Sequence, residues 1–262
     1  VKAPVIDRLS NEDTQILKLG RGMIRGHTCK VVVVEPGPSE TPLTVEALRH
    51  HVEARLDEAP RLRKRLLATP LHLANPVWVD DPEFDIAHHI GRAPVEAPLS
   101  WDELIRLVAQ LMAEPLDLAR PLWHVSVVDR LVDGGAAIIW RVHHSVADGI
   151  TCVRLASALL WDDEPTDDPA ARPPWRAAPA PSGWSLLASG LAERTARLGQ
   201  RKSRTAPWKS IAATEAVAAR ELGPAAGPTR LDAPIGVGRS VAFASVPLQP
   251  VRAAGKSIAD SV

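Results

Sequence analysis

Two adjacent histidines followed at a fixed distance by Asp-Gly, in Trp140-Arg-Val-His143-His144-Ser145-Val146-Ala147-Asp148-Gly149, are the residues of this 262-residue chain best equipped for chemistry. At the chain's own residue frequencies the pattern H-H-x-x-x-D-G arises by chance in about one chain per thousand, so the spacing carries information. A neutral imidazole, with a pKa of about 6.5, takes a proton from a hydroxyl or amine at neutral pH, and Asp148 would order the turn. A histidine and an aspartate four apart can instead share a metal, the further ligands coming from His88, His89 or elsewhere. The third reading is a hydrogen-bonded histidine pair at a strand end. Residue types and spacing leave all three open.

The pattern around the motif says what must position it. Ala136 to Val142 and Trp123 to Leu131 are β-rich runs joined through Val132-Asp133-Gly134-Gly135, where Asp-Gly-Gly tolerates positive φ and predicts a hairpin. Strand gives way to loop at His143-His144, and a helix with Val153, Ala156, Leu159 and Leu160 on one side begins at Gly149. A side chain there projects from a rigid sheet. Four consecutive valines, Val31 to Val34, predict a buried strand stopped by Glu35-Pro36-Gly37-Pro38. From Thr44, Val45, Leu48, Val52, Leu56 and Ala59 recur at helical spacing until Pro60. Ser100 and Glu103 form a capping box that opens a helix with Leu104, Leu107, Val108 and Leu111 on one face, closed by Pro115. Val77-Trp78-Val79 is a short strand, and Gly238 to Pro247 reads as a last strand before a helix from Val251. Arg61 to Arg65 places four cations in five residues, a pattern more typical of a solvated edge than of a phosphate site.

Composition sets the frame. Hydrophobic residues make up 45% and charged residues 24%, with 31 basic against 31 acidic groups, which fits a globular protein and removes any whole-chain argument for nucleic acid. Two cysteines, Cys29 and Cys152, cannot build a disulfide framework and suit a reducing compartment. No signal peptide or membrane span is read, so a cytoplasmic protein is expected. The neutral total conceals opposed halves: residues 1–183 carry 20 basic and 26 acidic groups, and residues 184–262 carry 11 and 5. Residues 162–182 hold six prolines without periodicity. The expected division is therefore a domain at 1–161 bearing the motif, a linker at 162–183, and a basic helical segment with a strand at 184–262. Glu193 to Lys209 alone has six cations against one anion.

His143-His144-Ser-Val-Ala-Asp148-Gly149 resembles the active-site motif of the CoA-dependent acyltransferase superfamily. Pro115-Leu-Asp117-Leu-Ala-Arg120-Pro121-Leu122-Trp123 resembles, more narrowly, the P-L-W region of bacterial wax ester synthase/acyl-CoA:diacylglycerol acyltransferases. Leu9-Ser10 to Asp13, Phe84-Asp85-Ile86 to His89 and Leu231 to Arg239 are similar to the same family. The resemblance implies an α/β fold, a chloramphenicol-acetyltransferase-like half with a mixed sheet flanked by helices. A second similar domain normally completes that fold. It implies His144 as general base toward the hydroxyl of diacylglycerol or a fatty alcohol, with acyl-CoA as co-substrate and no cofactor or metal.

On the same basis His143 is a supporting neighbour and Asp148 a structural residue paired with an arginine, for which Arg239 is the candidate. Gly149 would allow close backbone approach near the reacting site. Pro121, Leu122 and Trp123 join Gly149 as substrate-binding candidates, although a core position is preferred for Leu122 and Trp123. The chain stops before the family's second half, so residues 1–262 are expected to be an N-terminal portion, inactive alone. The basic segment suggests peripheral contact with the inner membrane or lipid inclusions. The alternatives are a condensation-type enzyme using carrier-protein thioesters and a non-catalytic lipid-surface protein.

Overall fold

The computed structural model describes residues 6–20, 22, 24–36, 43–96, 98–161, 175–203 and 236–259, without the side chains of 196–203 and 256–259. The strongest β-formers build a four-stranded mixed sheet. β1 (His27–Val34), β5 (Trp123–Val128) and β6 (Ala136–His143) pair antiparallel, and β4 (Ile90–Arg92) runs parallel to β5, giving the order β1-β6-β5-β4. The β5–β6 hairpin forms where Asp133-Gly134-Gly135 predicts it: Gly134 has φ +88°, and a Cβ on Gly135 would lie 2.7 Å from the Val34 carbonyl oxygen. A two-stranded antiparallel sheet, β2 (Lys64–Leu67) with β3 (Val77–Asp80), stands apart.

The period of two along the strands assigns each residue to one of two helical layers. Val125, Val127, Ile138, Trp140 and Val142 face α2 (Val45–Glu53) and α4 (Gly149–Leu160), whose Leu48, Val52, Cys152 and Leu159 complete that core. Ala137, Ile139 and Val31 face α3 (Trp101–Ala113), which contributes Leu104, Leu107, Val108 and Leu111. The α2 and α3 positions are the ones their spacing predicts; on α4, Ala156 and Leu159 are buried as expected, but Val153 is 65% exposed and Cys152 is buried in its place. The capping box is present: Glu103 accepts the Ser100 amide N–H at 2.8 Å, and Ser100 accepts that of Glu103 at 3.4 Å.

Two expectations are corrected. β1 is not a buried strand but an edge of the sheet, half-buried, with Val33 42% exposed. A β-branched run reports fitness for a pleated surface, not depth. Gly238 to Pro247 is not a strand: among the described residues no ladder includes it, Val241 packs on the α3 core, and Phe243 lies 5.7 Å from the Trp101 ring. Alternating apolar residues make a strand only where a sheet edge pairs with them.

Of the Pro-rich stretch, 162–174 lie outside the described residues. Trp175 is fixed edge-on to Phe84 at 6.2 Å and lies under the Arg63 guanidinium at 5.1 Å. α5 (Gly183–Ser203) then packs back on β3, with Leu186 buried against Val77 and Val79 and Glu193 paired to Arg8 at 3.1 Å. α6 (Leu248–Ala259) starts three residues before the expected Val251. Among the described residues no helix is long and apolar enough to cross a membrane. α1 (Asn11–Leu19), capped by Ser10, was not foreseen, and its Leu17 packs with Leu122.

Candidate active site

The end of β6 is held from both sides. His27 of β1 stands opposite His143, whose amide N–H donates to the Leu122 carbonyl at 2.9 Å. The next amide, that of His144, donates to the Gly26 carbonyl at 2.9 Å, and Val146 closes the turn by donating to the His143 carbonyl at 2.9 Å. The backbone of His144 is thus fixed while its imidazole is exposed.

His143 is 2% exposed. Its Nδ1 accepts the Ser145 amide N–H at 3.2 Å and lies 2.7 Å from the Ser145 hydroxyl. Burial, reinforced by the neighbouring His144, pushes its pKa down to about 4, so it is neutral at pH 7. A neutral ring locked by Ser145 buttresses the strand end. Gly26 permits this packing: it has φ +66°, and a Cβ there would sit 2.7 Å from His143 Nε2. Neither Gly26 nor Ser145 was singled out in the sequence, although the glycine-rich stretch before β1 and the motif's interior held the signal.

The pairing expected between Asp148 and Arg239 is not formed. Asp148 is the N-cap of α4, its carboxylate accepting the Thr151 amide N–H at 2.7 Å. That bond from Thr151 holds the carboxyl below the usual carboxylate range. Arg239 donates instead to the carbonyls of Gly236 and Gly238, at 2.9 and 2.8 Å. An aspartate three residues before a free amide at a helix start has a local partner, which precedes any distant guanidinium. Asp148→Asn, which keeps the cap but not the charge, should therefore lower the urea midpoint at pH 7 less than Asp148→Ala does. If Asp148 instead served an arginine, both variants would fall together. Because the folded-state pKa is depressed, the charge contribution of Asp148 is present above its unfolded pKa and fades as pH falls through the folded value. A Cβ on Gly149 would meet nothing within 4 Å among the described residues.

Pro121, Leu122 and Trp123 are all buried, and none lines a cleft at His144. Leu122 packs with Leu9, Leu17 and Trp78. Trp123 donates its indole N–H to the Leu62 carbonyl at 2.8 Å and stacks on His89 at 4.6 Å, which stacks in turn on Phe84 at 5.2 Å. The Phe84–His89 and Pro121–Trp123 segments thus meet in one aromatic ladder behind the sheet. His89 is buried, with Nδ1 2.9 Å from the Trp123 carbonyl, and His88 faces the Arg120 guanidinium at 2.8 Å. Among the described residues no three metal-ligating side chains gather.

Two clefts of about 490 Å³ each meet at His144. One is polar, bounded by Asp7, Arg61, Trp78 and the turn from His144 to Asp148. The other runs between α1, the Ile24–Thr28 segment and α3, with Ile16, Ile24 and Met112 as apolar walls and Arg25, His27 and Arg239 beside them. A group delivered along either cleft reaches the same imidazole.

The cations at 61–65 form neither a solvated edge nor a free phosphate site. Arg61 and Lys64 pair with Asp7, at 3.3 and 3.5 Å, Arg63 with Asp57, and Arg65 with Asp81 at 3.6 Å. Arg61 also stacks over Trp78 at 4.9 Å.

A family model described as the wax ester synthase/diacylglycerol acyltransferase catalytic domain matches residues 9–262. A Mycobacterium tuberculosis relative bearing a diacylglycerol O-acyltransferase name is 33% identical over 193 residues, covering 74% of this chain and 41% of that protein. A second from the same organism, named a probable diacylglycerol O-acyltransferase, is 32% identical over 234 residues, covering 84% and 46%. The chain thus spans less than half the length of either. Among solved structures, the wax ester synthase/diacylglycerol acyltransferase from Marinobacter aquaeolei VT8 is 27% identical with a TM-score of 0.49, over 58% of this chain and 36% of that one. With the family match running from Leu9 through the histidine pair to the last residue, this chain belongs to the wax ester synthase/diacylglycerol acyltransferase family.

Proposed function

We propose that this chain carries the general base of an acyl-CoA-dependent O-acyltransferase that forms triacylglycerol or wax ester. The supporting observation is the placement of His144: a backbone bonded to Gly26, beside a neutral, buried His143, with the imidazole exposed where two clefts meet. His144 removes the proton of the acceptor hydroxyl as its oxygen attacks the thioester carbonyl carbon. The new C–O bond forms, the C–S bond breaks, and the imidazolium returns its proton to the departing CoA thiolate. In this reading acyl-CoA is the co-substrate, and the transfer is direct, without a cofactor or an acyl-enzyme. The rest of the relatives' length corresponds to a second domain that closes the site, and contact with a lipid surface remains part of this reading.

The test offers the full-length protein radiolabelled acyl-CoA with diacylglycerol or fatty alcohol in separate reactions, products being resolved by thin-layer chromatography. Labelled triacylglycerol or wax ester is the expected result. Transfer only from an acyl carrier protein, to an amine, would overturn it.

A further inference from the structure

Several buried side chains keep a nitrogen without a hydrogen-bond partner among the described residues, Trp140 and Arg141 among them, and of these His27 lies at a cleft that reaches His144. His27 is 7% exposed, and among the described residues neither Nδ1 nor Nε2 has a hydrogen-bond partner. Buried side-chain polar atoms are nearly always paired, because an unsatisfied one bears its full desolvation cost. A hydrophobic residue at this strand position would avoid that penalty. His27 instead lines the cleft walled by Ile16, Ile24 and Met112, with Arg25 and Arg239 beside it, the cleft that ends on His144. The two histidines are tied through backbone: Gly26, next to His27, accepts the His144 amide, and His27 pairs with His143 across the strands.

We infer that His27 is a second catalytic residue, whose ring N–H donates to the carbonyl oxygen of the acyl thioester in this cleft and to the oxyanion it becomes. The inference rests on the acyl-transfer reading above. Burial and the nearby cations Arg141, Arg25 and Arg239 push the His27 pKa down to about 4, so the ring is neutral at pH 7 and offers one donor and one acceptor. A neutral imidazole is a competent electrophile toward a carbonyl. The same cations favour negative charge on an oxygen held there. Both ring nitrogens are shielded from solvent, so presenting one to the cleft takes a rotation about χ2, a torsion with a broad profile in histidine. As the acceptor oxygen bonds to the carbonyl carbon, the C=O electron pair moves onto oxygen and is held by His27. It then re-forms C=O as the C–S bond breaks, while His144 carries the proton from hydroxyl to thiolate.

The experiment compares His27→Phe and His27→Gln in the full-length protein, measuring kcat and KM for acyl-CoA together with thermal unfolding. His27→Phe is expected to lower kcat about 100-fold or more, as loss of one oxyanion donor does, with KM little changed. Its unfolding midpoint should equal or exceed wild type, because two unsatisfied atoms are gone. His27→Gln keeps an N–H donor and is expected to recover part of kcat. Should Phe not fit the strand end, His27→Leu against His27→Gln carries the same comparison. A donorless variant that is folded with wild-type kcat, or with only KM raised, overturns the assignment while leaving the acyl-transfer reading intact. A wild-type protein that forms no ester overturns both.

Discussion

Replacing His144 by alanine is expected to reduce ester formation by the full-length protein about 10²–10⁴-fold, the range supplied by a positioned general base. By the factor of ten per 1.36 kcal/mol this is a loss of roughly 3–5 kcal/mol of transition-state stabilisation. Folding should be unaffected. His144 is exposed, and its structural contact is the amide bond to Gly26, which alanine retains. The circular dichroism spectrum and unfolding midpoint of the variant should match wild type while kcat falls. His143→Ala should behave differently: it opens a cavity at a buried position and strands Ser145, so stability falls with activity.

The second large effect is predicted at Gly26. An alanine there meets two independent penalties. Its backbone is in the left-handed region at φ +66°, which costs a residue with a Cβ roughly 1–2 kcal/mol. The added carbon would also stand 2.7 Å from His143 Nε2, and relief of such a contact in a packed interior costs about 1–3 kcal/mol. His143 cannot retreat easily, since Ser145 grips its other ring nitrogen. The expected outcome of Gly26→Ala is a lower urea midpoint with unchanged m-value, and reduced activity even where the protein remains folded, because the clash is relieved at the base's neighbour. Gly22→Ala is the control: its Cβ would find 3.6 Å to the nearest atom, and the same assays should barely change.

The features legible in the sequence are those whose causes are local. Asp133-Gly134-Gly135 encodes its own turn, Ser100 and Glu103 cap each other, and the apolar face of α3 follows from spacing alone, whereas on α4 spacing read Val153 as buried where Cys152 is. The family was legible for a related reason, since His143-His144 to Gly149 and Pro121-Leu122-Trp123 are contiguous motifs. What escaped reading was set by distant partners. Gly26 owes its identity to His143, far along the chain, and the cations at 61–65 find Asp7 and Asp81 only after the β2–β3 sheet forms. Asp148 was assigned a remote arginine where a helix amide three residues away already competed. Gly238 to Pro247 has the alternation of a strand, but among the described residues no strand pairs with it. Pro121, Leu122 and Trp123 carry the family resemblance and sit in the core, where Trp123 joins the aromatic ladder and Leu122 packs with Leu9, Leu17 and Trp78.

The central claim, direct transfer of an acyl group to a hydroxyl with His144 as base, is tested most directly by a rapid-quench single turnover. Full-length wild-type protein and His144→Ala are each mixed with radiolabelled acyl-CoA and acceptor. The account predicts that wild type loses labelled thioester and gains labelled ester at one rate, with no label retained on protein, and that the variant is slower by 10²-fold or more. Label accumulating on the protein before ester appears, or a folded His144→Ala variant turning over at the wild-type rate, would contradict it.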